Sequence, residues 1–190
     1  GERRLATILF VDLVDFTGMA DKRRPEDIMH VVKRVTRLFS DPVERHGGRV
    51  IQFRGDGILA LFGVPVERDD DAARAVRAGL DMQHNLETLG PEIAAQYGMG
   101  LSARIGLNTG VVVVGEMGNP QHAVHTAMGD AVNMAERMQR TADPGDIVMS
   151  ESTYQQVRGL FRVRSLGATQ VKGKLEPVRA YCVLGEREKA

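Results

Sequence analysis

From Ala6 to Val14 the chain reads ATILFVDLV, an almost unbroken apolar run rich in branched side chains. Such a run fits a strand covered on both faces of a sheet. Its one charged residue is Asp12. A carboxylate at the end of a buried strand is costly unless it is paired, hydrogen-bonded or bound to a metal. The fold must therefore contain a central strand that carries an acid at one end.

The rest of the chain supplies partners for that strand. Pro25-Glu26-Asp27 opens a helix, with a proline in the first turn and acids near the positive end of the dipole. Ile28, Val31, Val32, Val35, Leu38 and Phe39 form its apolar stripe, and His46-Gly47-Gly48 stops it. Arg49 to Val64 reads as two short strands about Gly55-Asp56-Gly57, because Asp-Gly between apolar runs signals a hairpin. Asp69-Asp70-Asp71 starts a helix whose Ala72, Ala73, Val76, Leu80 and Met82 face inward, so the acid run is read as helix-start chemistry rather than a metal site. Leu101–Leu107 and Val111–Gly115 read as strands with a turn at Asn108-Thr109-Gly110. Asp130 is placed as the cap of a helix carrying Val132, Met134, Ala135 and Met138. A short strand, Ile147–Met149, and a short helix, Ser150–Val157, follow. Phe161–Leu166 and Val178–Leu184 form a last strand pair, joined by an exposed basic arm from Gln170 to Pro177. This order predicts an α+β sandwich with helices on one face of a mostly antiparallel sheet.

Two groups of residues could carry chemistry. Asp56 sits at a hairpin tip where two glycines let a ligand approach. Taken singly, Asp56 is as well read as a turn residue and Asp12 as a strand-end residue. If the hairpin lies beside the first strand, however, the two carboxylates converge. Paired carboxylates with open coordination positions suit Mg²⁺ or Mn²⁺ bridged by substrate phosphates. The stretch LVDFTG after Asp12, with Phe16 and Thr17, forms a turn whose backbone N–H groups can hold phosphate oxygens. Further on, Asn133 and Arg137 share one helix face. An amide beside a guanidinium could grip a ribose and a transition-state phosphate, or could simply be a polar face.

Composition sets bounds on this reading. The 190 residues carry no formal net charge, which removes the overall reason to expect nucleic-acid binding. The single cysteine, Cys182, excludes an intrachain disulfide framework and a cysteine-rich zinc site. A reducing cytoplasm fits, and no apolar run suggests membrane contact by this domain. We expect one domain over residues 1–190, with its core at about 5–184, cut from a longer protein that carries regulatory domains.

The strings FVDLVDFT, FRGDGILALFG, RIGLNTG, MGDAVNMAERM and VKGKLEPV occur in that order. In order and spacing they resemble the class III adenylate/guanylate cyclase family of bacterial type, over nearly the whole chain. The resemblance implies a ferredoxin-like core with a C-terminal β-arm, and a head-to-tail homodimer with active sites at the subunit interface. Asp12 and Asp56 match the family's metal aspartates and imply two divalent cations, Mg²⁺ or Mn²⁺. Arg104 matches its phosphate-binding arginine, Asn133 its ribose-orienting asparagine and Arg137 its transition-state arginine. Lys172 matches the triphosphate-binding lysine, with Lys174 as the alternative. The metals and Arg104 would come from one protomer, and Asn133, Arg137 and Lys172 from the other.

The resemblance also locates base selection at Gln52 and Thr126. Thr126 fits a bacterial adenylate cyclase pattern, whereas Gln52 fits neither the lysine of adenylate cyclases nor the glutamate of guanylate cyclases. A glutamine amide can serve adenine N1, or, flipped, guanine N1–H and O6. The expected substrate is ATP, with GTP as the alternative. Asp15 departs too, because the family often has glycine there. A weakly active nucleotide-sensing or dimerisation module is a second class of reading. A diguanylate cyclase is a third, disfavoured by Gly55-Asp56-Gly57 in place of that family's signature hairpin.

Overall fold

The computed structural model describes residues 2–117, 124–169 and 177–188. The apolar run becomes part of β1 (Glu2–Leu13), which begins earlier than its apolar pattern suggests. It is flanked on both sides by antiparallel neighbours, β3 (Gly57–Phe62) and β4 (Ala103–Met117). β2 (Arg49–Arg54) pairs with β3 to complete the hairpin about Gly55 and Asp56. β6 (Ile147–Ser150) lies parallel to β4 and continues into β8 (Val178–Glu186) and β7 (Phe161–Thr169). Among the described residues the sheet order is β2-β3-β1-β4-β6-β8-β7, with β5 (Val124–Met128) antiparallel to the far half of β4.

Helices cover both faces, not one. On one face Leu9 and Val11 of β1 and Ile105 and Leu107 of β4 pack in one core with α2 (Pro25–Arg45) and α3 (Asp71–Tyr97). On the other, Ile8 and Phe10 pack with Val132 and Ala135 of α4 (Asp130–Thr141). The run of consecutive buried residues along β1 requires this, since successive side chains point to opposite faces and both must be covered. The short helices α1 (Phe16–Ala20) and α5 (Glu151–Val157) follow β1 and β6.

Two further expectations are corrected. No turn forms at Asn108-Thr109-Gly110, because β4 runs straight through it, paired with Ile8, Thr7 and Ala6 of β1. The polar side chains that suggested a turn are satisfied by tertiary partners instead. The Asn108 amide donates to Ala131 O at 2.9 Å and accepts from Ser150 Oγ at 2.6 Å, while Thr109 Oγ1 bonds Thr7 and Thr153. Asp130 is the first residue of α4 and not its cap, which is Gly129 at φ 128°, a conformation suited to glycine. At α3 the acid run acts locally, as expected. Asp71 accepts from the Arg68 N–H at 2.8 Å and pairs with Arg74.

Candidate active site

Asp12 stands opposite Gly57 on β3 and Arg104 on β4. Residues directly opposite on antiparallel strands point to the same face, so Asp12, Arg104, Phe10 and Gly106 all face α4. The hairpin is tied to β1 by its main chain, with the Leu13 N–H donating to Asp56 O at 2.9 Å. A side chain at Gly57 would overlap Val11 O and the Asp12 backbone, so only glycine allows this approach. The two carboxylates therefore meet at one end of the sheet.

The electrostatics there are unsettled in a way that suits a cation. Asp12 is pushed up from 3.8 to about 6, by burial first and the Asp56 charge second, against the pull of Arg104 and Arg54. Arg54 lies over the Phe10 ring, 5.0 Å from its centroid, and reaches Glu136 at 3.7 Å. Arg104 Nε is buried with no hydrogen-bond partner among the described residues. A buried donor without an acceptor is costly, and a phosphate oxygen would satisfy it. No group of three or more His, Cys, Asp or Glu side chains converges among the described residues. Two aspartates are nonetheless a sufficient protein contribution for a hard dication whose other ligands are phosphates and water. The donor set, an oxygen pair in which one charge raises the other's pKa, fits such an ion.

Beyond Asp12 the chain turns into α1. Phe16 is buried in the core, so only its backbone N–H is free for a ligand, whereas Thr17 is exposed. The first helical bond runs from Met19 N to Asp15 O, which leaves the N–H groups of Phe16, Thr17 and Gly18 ahead of it. Asp15 has φ 54°, the left-handed region, and is the one described non-glycine residue there.

On α4, Val132, Ala135, Met138 and Gln139 are buried, Asn133 is exposed and Arg137 half-buried. At about 100° per residue, Asn133 and Arg137 lie about 40° apart, and Arg137 about 160° from Gln139. The helix thus presents Gln139 to its own Asp12 and turns Arg137 away. Gln52 is exposed on β2, and Thr126 lies on β5 opposite Gly115. The side chain of Thr126 is outside the described part of the structure, but β2 and β5 are in contact, so the two positions expected to select the base sit on strands that touch. Lys172 and Lys174 lie outside the described residues.

Gln139 is the residue missing from the sequence reading. Its amide Nε2 donates to Asp12 Oδ1 at 2.6 Å. The signal was available, since Gln139 is a polar residue on the buried stripe of Val132 and Ala135. A groove of about 1090 Å³ lined by Lys33, Arg37 and His84 of α2 and α3 contains none of the predicted site residues.

Residues 2–185 match the family described as the adenylate and guanylate cyclase catalytic domain. The chain is 34% identical over 188 residues to Adenylate cyclase 1 of Rhizobium meliloti, covering 96% of this chain but only 28% of that protein. Among solved structures it superposes on the guanylyl cyclase Cya2 with a TM-score of 0.92 at 35% identity, covering 99% of this chain and 95% of that one. On the adenylyl cyclase CyaB from P. aeruginosa the TM-score is 0.91 at 29% identity, with 98% and 96% covered. The chain belongs to the adenylate and guanylate cyclase catalytic domain family.

Proposed function

We propose that this chain is the catalytic module of a longer cyclase, which converts ATP to 3′,5′-cyclic AMP and pyrophosphate at sites shared between two copies of the chain. The observation that carries this reading is the pairing of Asp12 and Asp56 at one sheet end, beside a buried Arg104 Nε that needs an anion. Asp12 and Asp56 would hold two divalent cations, Mg²⁺ or Mn²⁺, which when bound acidify the ribose 3′-hydroxyl and neutralise phosphate charge.

The chain's own groups do the positioning. The N–H groups of Phe16 and Thr17 and the Arg104 guanidinium take phosphate oxygens, a role shared with Lys172. In the reaction the 3′-oxygen bonds the α-phosphorus, the bond to pyrophosphate breaks, and the hydroxyl proton is released to solvent. Charge develops on the phosphate oxygens, where Arg137 stabilises it, and Asn133 fixes the ribose for in-line attack. Because Arg137 points away from its own Asp12, it serves the partner's site, and the homodimer is the active form. A cytoplasmic location suits an ATP substrate.

GTP is the second reading. Gln52 can present either its donor or its acceptor to the base, and the chain is about as similar to a named guanylyl cyclase as to a named adenylyl cyclase. The test is incubation of the purified chain with ATP or GTP and Mg²⁺ or Mn²⁺, with identification of the product. Cyclic AMP formation lost in both Asp12→Ala and Asp56→Ala, with the circular dichroism of the fold retained, supports the reading. Retention of more than about a tenth of activity in either variant, under 1.4 kcal/mol of barrier, overturns the two-aspartate assignment.

A further inference from the structure

We infer that Gln139 is a positioning residue for the metal carboxylate, orienting Asp12 through the hydrogen bond from its amide. The inference rests on the proposed role of Asp12 as a metal ligand and adds a residue to which no role has been assigned.

The geometry is built from both sides. Gly106 lies on β4 beneath α4, and a side chain there would overlap the Gln139 nitrogen and the Ala135 carbonyl. The bare glycine lets the helix backbone rest on the strand, which fixes the height of Gln139 above the sheet. Gln139 is 6% exposed and its Nε2 lies 2.6 Å from Asp12 Oδ1. An ionised carboxylate only accepts, so the amide nitrogen and not its oxygen must face Asp12. The terminal torsion of an aspartate is soft, and a hydrogen bond on one oxygen selects its plane.

The residue type matters as much as the place. Lysine or arginine here would hold Asp12 but repel a dication. Glutamate would add another negative charge beside Asp12, on which the charges of Asp56 and Glu136 already act. A neutral donor orients the carboxylate without opposing the metal. Partners of this kind behind metal ligands typically account for about 10–100-fold in affinity or activity.

The experiment compares the wild-type chain with Gln139→Met, close in size but without a donor, and Gln139→Asn, a donor too short to reach. Mn²⁺ binding is measured by electron paramagnetic resonance in the presence of 3′-deoxy-ATP, which has no 3′-hydroxyl to cyclise. Both variants should bind Mn²⁺ about 10–100-fold more weakly. In turnover the metal KM should rise while kcat at saturating Mn²⁺ stays within about threefold, a split that a merely structural role would not produce. Should Gln139→Met fail to fold, Gln139→Asn, which keeps the amide, decides the matter. Wild-type Mn²⁺ affinity in a folded Gln139 variant overturns the inference. Asp12→Asn is run alongside. If it loses Mn²⁺ while the Gln139 variants keep it, only the role of Gln139 falls, whereas full Mn²⁺ affinity in Asp12→Asn removes the metal reading itself.

Discussion

Asp12 and Arg104 face each other across β1 and β4 in register, yet the buried Arg104 Nε makes no hydrogen bond to Asp12 or to any other described residue. The arginine lowers the aspartate's pKa only as a nearby charge, and burial together with Asp56 outweighs it. Two groups that could have neutralised each other do not do so: the Arg104 Nε keeps no acceptor among the described residues, and Asp12 takes its hydrogen bond from Gln139 instead.

This arrangement has a pH signature. Asp12 titrates at about 6 in the folded chain against 3.8 ordinarily. Between those values the metal-free folded state holds the proton more tightly than the unfolded one, so the contribution of Asp12 to stability is full at the acid end and lost as pH rises through about 6. Thermal unfolding of the metal-free chain should show this loss relative to Asp12→Asn, which lacks the titration. Mn²⁺ affinity of the wild type should climb with pH up to about 6 and then level off, because the ion must displace the proton. Parallel stability profiles for wild type and Asp12→Asn would contradict the shift.

Sharing of the site between two chains is tested by complementation. Asp56→Ala and Arg137→Ala should each be inactive alone. Mixed, they form heterodimers with one site carrying both lesions and one carrying neither, so activity returns. Heterodimers that form yet stay inactive would place all these residues in one chain's own site. Specific activity of the wild type should also fall on dilution.

Gln52→Lys should sharpen the preference for ATP. Lysine has three donors and no acceptor, so it can serve adenine N1 but not the N1–H of guanine. An unpaired guanine donor in a desolvated pocket costs about 1–3 kcal/mol, a factor of roughly 5 to 150 against GTP. The check is kcat/KM for both nucleotides at fixed metal. A ratio that does not move towards ATP means that Gln52 does not face the base.

Asp15→Gly should help twice. Asp15 holds a left-handed backbone at φ 54°, which glycine adopts without strain. Relief of up to about 1 kcal/mol would raise the melting temperature by roughly 2–4 °C for a chain of this size. Removing a carboxylate beside the N–H groups of Phe16 and Thr17 should also lower the nucleotide KM. A raised KM would show instead that Asp15 contributes a metal contact.

How much of this was legible in the sequence depended on where side chains find partners. β1 and the Gly55-Asp56-Gly57 hairpin could be read because their signals are local: a nearly unbroken apolar run for the strand and turn chemistry for the tip. Asn108-Thr109-Gly110 misled because its polar groups are satisfied by Ala131, Ser150 and Thr153, contacts made only once α4 and α5 have packed. β5 was not foreseen, since Val124–Met128 has no strict alternation and takes its form from pairing with β4. Arg104 and Gln52 entered only through family resemblance, because spacing alone does not show which residues become neighbours across a sheet. Gln139 shows in the sequence only as a polar residue on a buried stripe, with nothing local to name what it bonds. Its partner Asp12 is 127 residues away in the chain.

The bond from the Leu13 N–H to Asp56 O and the contact of Gly57 against β1 both belong to the main chain. The backbone separation of Asp12 and Asp56 is therefore set by peptide geometry, and side-chain changes in the surrounding core have little leverage on it. Gln52 on β2 and Thr126 on β5 pair with β3 and β4 and make no pairing of their own with β1. If Gln52 and Thr126 face the base as proposed, descent could exchange one purine for another at those two positions while Asp12 and Asp56 stayed as they were, which would make substrate choice and chemistry mutationally separable within a single fold.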